Sequence, residues 1–187
     1  MIKLYSMDSK LFNNNGDQGN LEVLQAILMD QAVEFSTTEF LEDADFALIG
    51  DCSIGVLEHR RSELDALVTA LLARKERGQA TLIVGRPFEY LAEKLGIELQ
   101  LGKRESQFVE ANSNTMKAFG YHNSEVVSPR LWNHGAFIGT TLFGPLLGKN
   151  PEVLKAVLLS LGLNATGNVF AEGALIAQKV RDQTTFE

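Results

Sequence analysis

The sequence predicts an α/β fold in which a mostly parallel sheet is covered by helices on both faces. Short apolar segments alternate with segments whose apolar residues recur at helical spacing. The apolar segments of this kind are 2–5, 46–49 and 81–84. After Gly96 the alternation ends, and three further segments predict strands without a long helix between them: 97–101, 117–121 and 136–143. We therefore expect an antiparallel extension of the sheet, within a single domain comprising residues 1–187.

Capping residues set the expected limits of the first helices. A dense turn signal, 13–20, follows the first strand, so a helix is expected to begin near Asn20, a good N-cap residue. Residues 62–65, Ser-Glu-Leu-Asp, resemble a capping box and predict a second helix that ends at Gly78. The charged run 74–77 is expected at the solvated end of that helix.

Three more helices are predicted downstream. Residues after strand 81–84 have helical periodicity as far as Gly96. Pro151 fits the first position of a helix that opens at Asn150 and closes at Gly162. A last helix is predicted over about residues 171–182.

Composition excludes several classes of function. The net charge of −7 argues against nucleic-acid binding through a basic surface. A single cysteine excludes an intrachain disulfide and favours a reducing compartment. No apolar run approaches the roughly 20 residues that span a bilayer, and the N-terminus lacks the apolar stretch of a signal peptide. We expect a cytoplasmic protein without a membrane span, and no cofactor or metal site, since no His or Cys pair has ligand spacing.

Three segments resemble motifs of one family. Residues 15–21, Asn-Gly-Asp-Gln-Gly-Asn-Leu, are similar to Y-G-D-x-G-N-x, and residues 46–50 resemble a strand that leads into a G-G-G loop. The most specific match is 139–151, Gly-Thr-Thr-Leu-Phe-Gly-Pro-Leu-Leu-Gly-Lys-Asn-Pro, which is similar to G-T-Y-L-H-G-P-L-L-x-K-N-P. The family is the CobB/CobQ-like class I glutamine amidotransferases, and the chain most resembles the GatD-type amidotransferase subunit of lipid II isoglutaminyl synthase.

Order and spacing of the motifs agree over most of the chain, so the resemblance implies the three-layer flavodoxin-like fold of class I amidotransferases. Members of the family hydrolyse glutamine with a cysteine at the turn after a buried strand and a histidine on a late strand. In this chain the cysteine position is Gly85 and the histidine position is Phe143. The G-G-G loop becomes Gly-Asp-Cys at 50–52, and a glutamine of the cysteine motif becomes Glu89.

Physical chemistry agrees with these substitutions. A nucleophile elbow requires a strained backbone, often with positive φ, which glycine adopts at the lowest cost, so Gly85 can keep the shape without the thiol. Phe143 removes the base and makes the pocket more apolar, while Arg86 would favour a carboxylate or phosphate. The expected ligand pocket comprises Gly50, Asp51, Cys52, Gly85, Arg86 and Phe143.

The leading hypothesis is a catalytically degenerate amidotransferase domain without glutaminase activity. It would serve as a binding or regulatory subunit of an amidating ligase or synthase, with a Mur-ligase-like partner and a small anionic or amide ligand. The alternative is an enzyme that uses Cys52 as a relocated nucleophile, with His134 or, second, His122 as base, or another chemistry in the same cleft. A third possibility is a structural protein that forms homo-oligomers through an apolar face.

Overall fold

Nine strands form the two sheets of the protein, which a computed structural model describes from residue 1 to residue 184. In chain order they are β1 (Ile2–Ser6), β2 (Phe35–Thr38), β3 (Phe46–Ile49), β4 (Thr81–Val84), β5 (Gln100–Asn112), β6 (Lys117–Ser128), β7 (Leu131–His134), β8 (Phe137–Thr140) and β9 (Leu142–Phe143). Six of them make the central sheet, in the order β2-β1-β3-β4-β8-β7, and β5-β6-β9 make a second sheet.

The central sheet has the strand order of a flavodoxin-like fold. Strands β2, β1, β3, β4 and β8 are parallel to their neighbours, and only the edge strand β7 is antiparallel. The first five strands in that order match the doubly wound 2-1-3-4-5 arrangement once the sheet strands are numbered by their own order. The predicted fold class is therefore confirmed by topology. Strand β2 was not predicted, because its Phe-Ser-Thr-Thr sequence lies half-buried at the edge and carries little apolar signal.

The antiparallel part is confirmed, but most of it forms a sheet of its own. Strands β5 and β6 make a long ribbon, and β9 adds to β6 through the pairs Tyr121–Phe143 and His122–Leu142. The segment 136–143, predicted as one strand, is therefore divided. Its first part, β8, stays in the central sheet, and its last two residues join the second sheet.

Residues 1–184 contain six α-helices. They are α1 (Gly19–Asp30), α2 (Ile54–Glu76), α3 (Arg86–Leu91), α4 (Leu146–Lys149), α5 (Pro151–Ser160) and α6 (Asn168–Gln183). The helices predicted after Pro151 and over 171–182 are confirmed as α5 and α6. Helix α3 is shorter than predicted, since a separate 3₁₀ turn, Glu93–Leu95, follows it before Gly96.

The expected start of α2 is wrong, whereas α1 begins near Asn20 as expected but without Asn20 as its cap. Helix α2 begins at Ile54, where Ser53 Oγ accepts a hydrogen bond from the Val56 amide, so Ser62 lies inside the helix and caps nothing. Asn20 lies within α1 and is fully buried. Its side chain donates to the Asp17 carbonyl and accepts from the Leu147 amide, so it joins α1 to α4 instead of capping α1.

Each face of the central sheet buries its own apolar cluster. Leu4, Leu48 and Leu82 point to the side covered by α1 and α5, while Ala47 and Ile83 point to the side covered by α2 and α3. This alternation follows from the period of two along a strand. The sheet and the helices packed against its two faces form the three layers that the resemblance implied.

Arg74 corrects the expectation of a fully solvated charge run at the end of α2. Its side chain is 2% exposed. The guanidinium donates to Thr81 Oγ1 and to the carbonyls of Ala44 and Ala80, at 2.9, 2.6 and 2.7 Å. A buried cation is tolerated here because a hydroxyl and backbone carbonyls accept hydrogen bonds from its N–H groups.

Within residues 1–184, no helix combines the length and the apolar character needed to cross a membrane. The last three residues of the predicted single domain 1–187 lie outside the described part, and the single-domain assignment stays a prediction.

Candidate functional site

The turn between β4 and α3 has the backbone expected of a nucleophile elbow. Gly85 has φ 63° and ψ −132°, a combination that side-chain-bearing residues adopt only under strain. Its amide donates to the Thr140 carbonyl at 2.8 Å, which fixes the turn against β8. Pro87 lies in the first turn of α3, where its missing N–H costs nothing. The turn lies at the carboxyl end of a parallel strand, the edge where ligands bind in open α/β sheets.

Two neighbours occupy the space that a side chain at the elbow would need. A Cβ atom built on Gly85 would overlap the Asp51 carboxylate and lie 2.7 Å from Phe143 Cε1. Phe143 is 7% exposed and Asp51 is fully buried. Residue 85 therefore lacks both a reactive side chain and the room for one.

The Asp51 carboxylate accepts the hydrogen bond that an elbow normally offers to a reaction intermediate. In elbow enzymes the N–H of the residue after the nucleophile is one donor of the oxyanion hole. Here that donor is the Arg86 amide, which bonds Asp51 Oδ1 at 3.0 Å. Asn14 and Asn15 donate to the other oxygen, Oδ2, at 3.2 and 2.8 Å. An internal carboxylate thus lies where an oxyanion would be stabilised.

A second buried carboxylate supports the Asp51 loop. Asp17 Oδ2 accepts from the Asp51 amide at 2.9 Å, and Asp17 Oδ1 accepts from the Gly144 amide at 3.2 Å. Burial, together with the neighbouring Asp51 charge, raises the pKa of Asp17 to about 6 despite these hydrogen bonds. Lys149 Nζ donates to the Phe143 carbonyl, and burial lowers the pKa of Lys149. Side chains and amides from the segments 15–21 and 139–151 therefore meet directly beside the elbow.

Arg86 lies between the elbow and an open cleft. Its Nη1 donates to the Cys52 carbonyl at 3.1 Å and lies 3.7 Å from Asp51 Oδ2. With a side chain 29% exposed, Arg86 also lines a cleft of about 390 Å³ together with Phe143. Of the six predicted pocket residues these two line the cleft, whereas Gly50, Asp51, Cys52 and Gly85 are buried behind them.

The cleft contains charged residues that sequence reasoning missed. Arg61 on α2 and Arg104 on β5 line it with Arg86, and so do Glu89 and Ser124. Glu89 accepts a hydrogen bond from Ser124 Oγ at 2.6 Å. The only early signal was Glu89 itself, because the β5–β6 ribbon that brings Arg104 and Ser124 to the cleft carries no motif.

Cys52 does not have the surroundings of a nucleophile. The thiol is fully buried, and burial, followed by the Asp51 charge, raises its pKa to about 11. A reactive cysteine requires the opposite shift and access to solvent.

The structure does not bring Cys52 and His134 together. His134 pairs with Phe137, and Phe137 pairs with Thr81, the first residue of β4. Cys52 lies in the loop after the last residue of β3, so Cys52 and His134 lie at opposite ends of the parallel strands. His122 lies on β6 with Nδ1 2.9 Å from Thr141 Oγ1, and burial lowers its pKa.

Within residues 1–184, no group of three or more His, Cys, Asp or Glu side chains is placed to hold a metal ion.

No family model and no curated protein matches the sequence. Comparison with solved structures finds a glutamine amidotransferase from Thermotoga maritima, with 12% identity, coverage of 96% of this chain and 95% of the other, and a TM-score of 0.49. It also finds a protein from Thermoplasma acidophilum that is assigned as a component of GMP synthase, with 11% identity, coverage of 97% and 96%, and a TM-score of 0.45. At this level of identity and TM-score, neither similarity carries an argument about function, and the fold class rests on the strand order described above.

Proposed function

We propose that this chain is a catalytically degenerate class I glutamine amidotransferase-like domain of the CobB/CobQ type, related to the GatD-type proteins. Its role is to bind or regulate, as a cytoplasmic subunit of an amidating ligase or synthase. The observation that carries the proposal is the hydrogen bond from the Arg86 amide to the Asp51 carboxylate, at an elbow whose Gly85 has no side chain.

This hydrogen bond argues against hydrolysis for an electrostatic reason. A tetrahedral intermediate develops negative charge on the substrate oxygen and needs free N–H donors at that point. The Asp51 carboxylate already takes the Arg86 donor and would repel a second anion. The histidine position holds Phe143, which transfers no proton, and the raised pKa of Cys52 keeps its thiol protonated at neutral pH.

The cleft beside the elbow supports a binding role. Three arginines, Arg61, Arg86 and Arg104, line it together with glutamates such as Glu89. Guanidinium groups bind carboxylates in paired geometry, and a glutamate can accept from an amide or ammonium group. A small ligand that carries a carboxylate or an amide fits this mixture. The proposed macromolecular partner is a Mur-ligase-like protein, by analogy with the family that the sequence resembles.

A glutaminase assay tests the proposal. The purified protein is incubated with glutamine, alone and with a Mur-ligase-like candidate, and ammonia is measured against Cys52→Ala. We expect no release above background in any sample. Ammonia release by the wild type that disappears in Cys52→Ala would overturn the degenerate assignment and favour the relocated nucleophile.

Binding is tested separately by calorimetry with glutamine and glutamate. Arg86→Ala is expected to weaken binding by at least about tenfold, the loss typical of a hydrogen-bonded charge pair. Lys155→Ala, an exposed cation on α5 outside the cleft, serves as the matched control. Equal affinities of the wild type and Arg86→Ala would refute the cleft as the binding site.

A further inference from the structure

The outward face of α6 carries an apolar pair flanked by opposite charges. Leu175 and Ile176 are 65% and 62% exposed, although both are large aliphatic residues. Glu172 and Lys179 lie three residues before and three residues after this pair, and both are exposed. Spacings of three, four and seven residues place all four side chains on one face of a helix. Ala177, on the opposite face, is buried against the protein.

The four residues, which we call the α6 stripe, are all exposed. Among residues 1–184, neither Glu172 nor Lys179 takes part in an ion pair. Two neighbouring polar side chains of α6 bond to each other, since Gln178 Nε2 donates to Asp182 Oδ1 at 2.7 Å. Helix α6 is itself anchored, because the Asp30 side chain accepts from the Val169 amide at its start. The stripe is thus an anchored surface whose apolar side chains are exposed and whose two charges form no ion pair within residues 1–184.

The charge order of the stripe is complementary to itself when the helix direction is reversed. In an antiparallel pair with its two-fold axis between Leu175 and Ile176, Leu175 faces the partner's Ile176. Glu172 faces the partner's Lys179, and Lys179 faces the partner's Glu172. An isologous interface requires this relation, in which one residue contacts a second and the second contacts the first.

We propose that a second copy of this chain binds the α6 stripe, forming an antiparallel α6–α6 dimer. The charges of the stripe favour a second copy of the chain over a membrane surface. A membrane-binding helix needs a polar face rich in lysine and arginine, whereas this stripe has one acid and one base. The 16-residue helix is roughly 24 Å long. One such contact buries less than the roughly 1,200 Å² of a stable interface, so the dimer is weak and reversible.

Charge reversal tests the dimer by sedimentation velocity, measured from micromolar to millimolar protein. We expect the wild type to self-associate, and Glu172→Lys to weaken association by about tenfold because two attractive pairs become repulsive. Lys179→Glu has the same expected effect. Combining both substitutions in one chain restores the wild-type affinity, because each pair is then present with its charges exchanged.

Mixing the two single variants gives the sharpest result. Glu172→Lys carries two lysines on its stripe and Lys179→Glu carries two glutamates, so each homodimer is repulsive and the mixed dimer contains two complementary pairs. Lys155→Glu, on the exposed side of α5, is the control and leaves association unchanged. A wild type that stays monomeric at millimolar concentration overturns the proposal. So does self-association that Glu172→Lys leaves unchanged, or a mixture no tighter than either single variant. Circular dichroism of each variant verifies that the fold is intact.

Discussion

Replacing Gly85 by alanine measures how completely Asp51 and Phe143 fill the space at the elbow. The alanine must adopt φ near 63° and ψ near −132°, a strained combination that costs a non-glycine residue about 1–3 kcal/mol. The added Cβ also overlaps the Asp51 carboxylate and lies 2.7 Å from Phe143 Cε1, an overpacking that costs about 1–3 kcal/mol. We therefore expect the free energy of unfolding to fall by about 2–6 kcal/mol.

Gly162→Ala is the reference for a positive φ without steric overlap. Gly162 has a similar φ, 73°, but a Cβ there would have no atom within 4 Å. Its cost is therefore the backbone part alone, about 1–2 kcal/mol. Both variants are unfolded in urea and followed by circular dichroism. A loss in Gly85→Ala no greater than that in Gly162→Ala would show that the elbow has room for a side chain and would refute the reasoning.

The overlap with Asp51 predicts energetic coupling. In an Asp51→Gly background, the carboxylate that the new Cβ meets is absent, so Gly85→Ala should cost less there than in the wild type. Residues in direct contact couple by about 0.5–3 kcal/mol in such cycles. Strict additivity of the two substitutions would contradict the close approach of Gly85 and Asp51.

Two further predictions concern the buried groups near the elbow. Because the pKa of Asp17 is raised from 3.8 to about 6, the folded state binds the proton more tightly than the unfolded state. Protonated Asp17 contributes up to about 3 kcal/mol to the free energy of unfolding. This contribution is complete below about pH 4 and is lost as the pH rises through about 6. Urea titrations from pH 4 to pH 7 should therefore show that the free energy of unfolding depends less on pH in Asp17→Asn than in the wild type. Asp43→Asn, which removes an exposed carboxylate, should keep the wild-type pH dependence. The same pH dependence in Asp17→Asn and the wild type would contradict the raised pKa. The second prediction concerns Cys52, whose pKa is about 11. At pH 8 its thiol should react with a thiol reagent at least about 100-fold more slowly in the native protein than in urea. Comparable rates would show an accessible thiolate and support the nucleophile hypothesis.

Most of the fold could be predicted because its signals are local. The buried parallel strands β3 and β4 are almost entirely apolar, and Gly96 and Gly162 end their segments with positive φ. The failures also have local causes. Strand β2 is largely polar. Helix α2 begins after the N-cap Ser53, whereas the capping-box-like sequence at Ser62 predicted a later start.

The candidate site could be predicted only in part. Gly85, Phe143 and Asp51 were named from the resemblance, but the role of Asp51 was not. That role depends on the carboxylate reaching the Arg86 amide across 35 positions of sequence. Likewise, His134 lies shortly before the segment 139–151 in the sequence but far from the site in space. Strand β7 runs antiparallel and places His134 at the other end of the sheet.

By itself the sequence determined the alternation of buried strands and helices up to Gly96, the glycine at the elbow and the absence of a cysteine and histidine at the matched positions. These follow from backbone preference and residue identity, which do not depend on distant neighbours. Only the tertiary structure decided what fills the vacated place and what the outer face of α6 presents. Hydrogen bonds between loops far apart in sequence, and the burial of one side of a helix, arise only when the chain has folded around its central sheet.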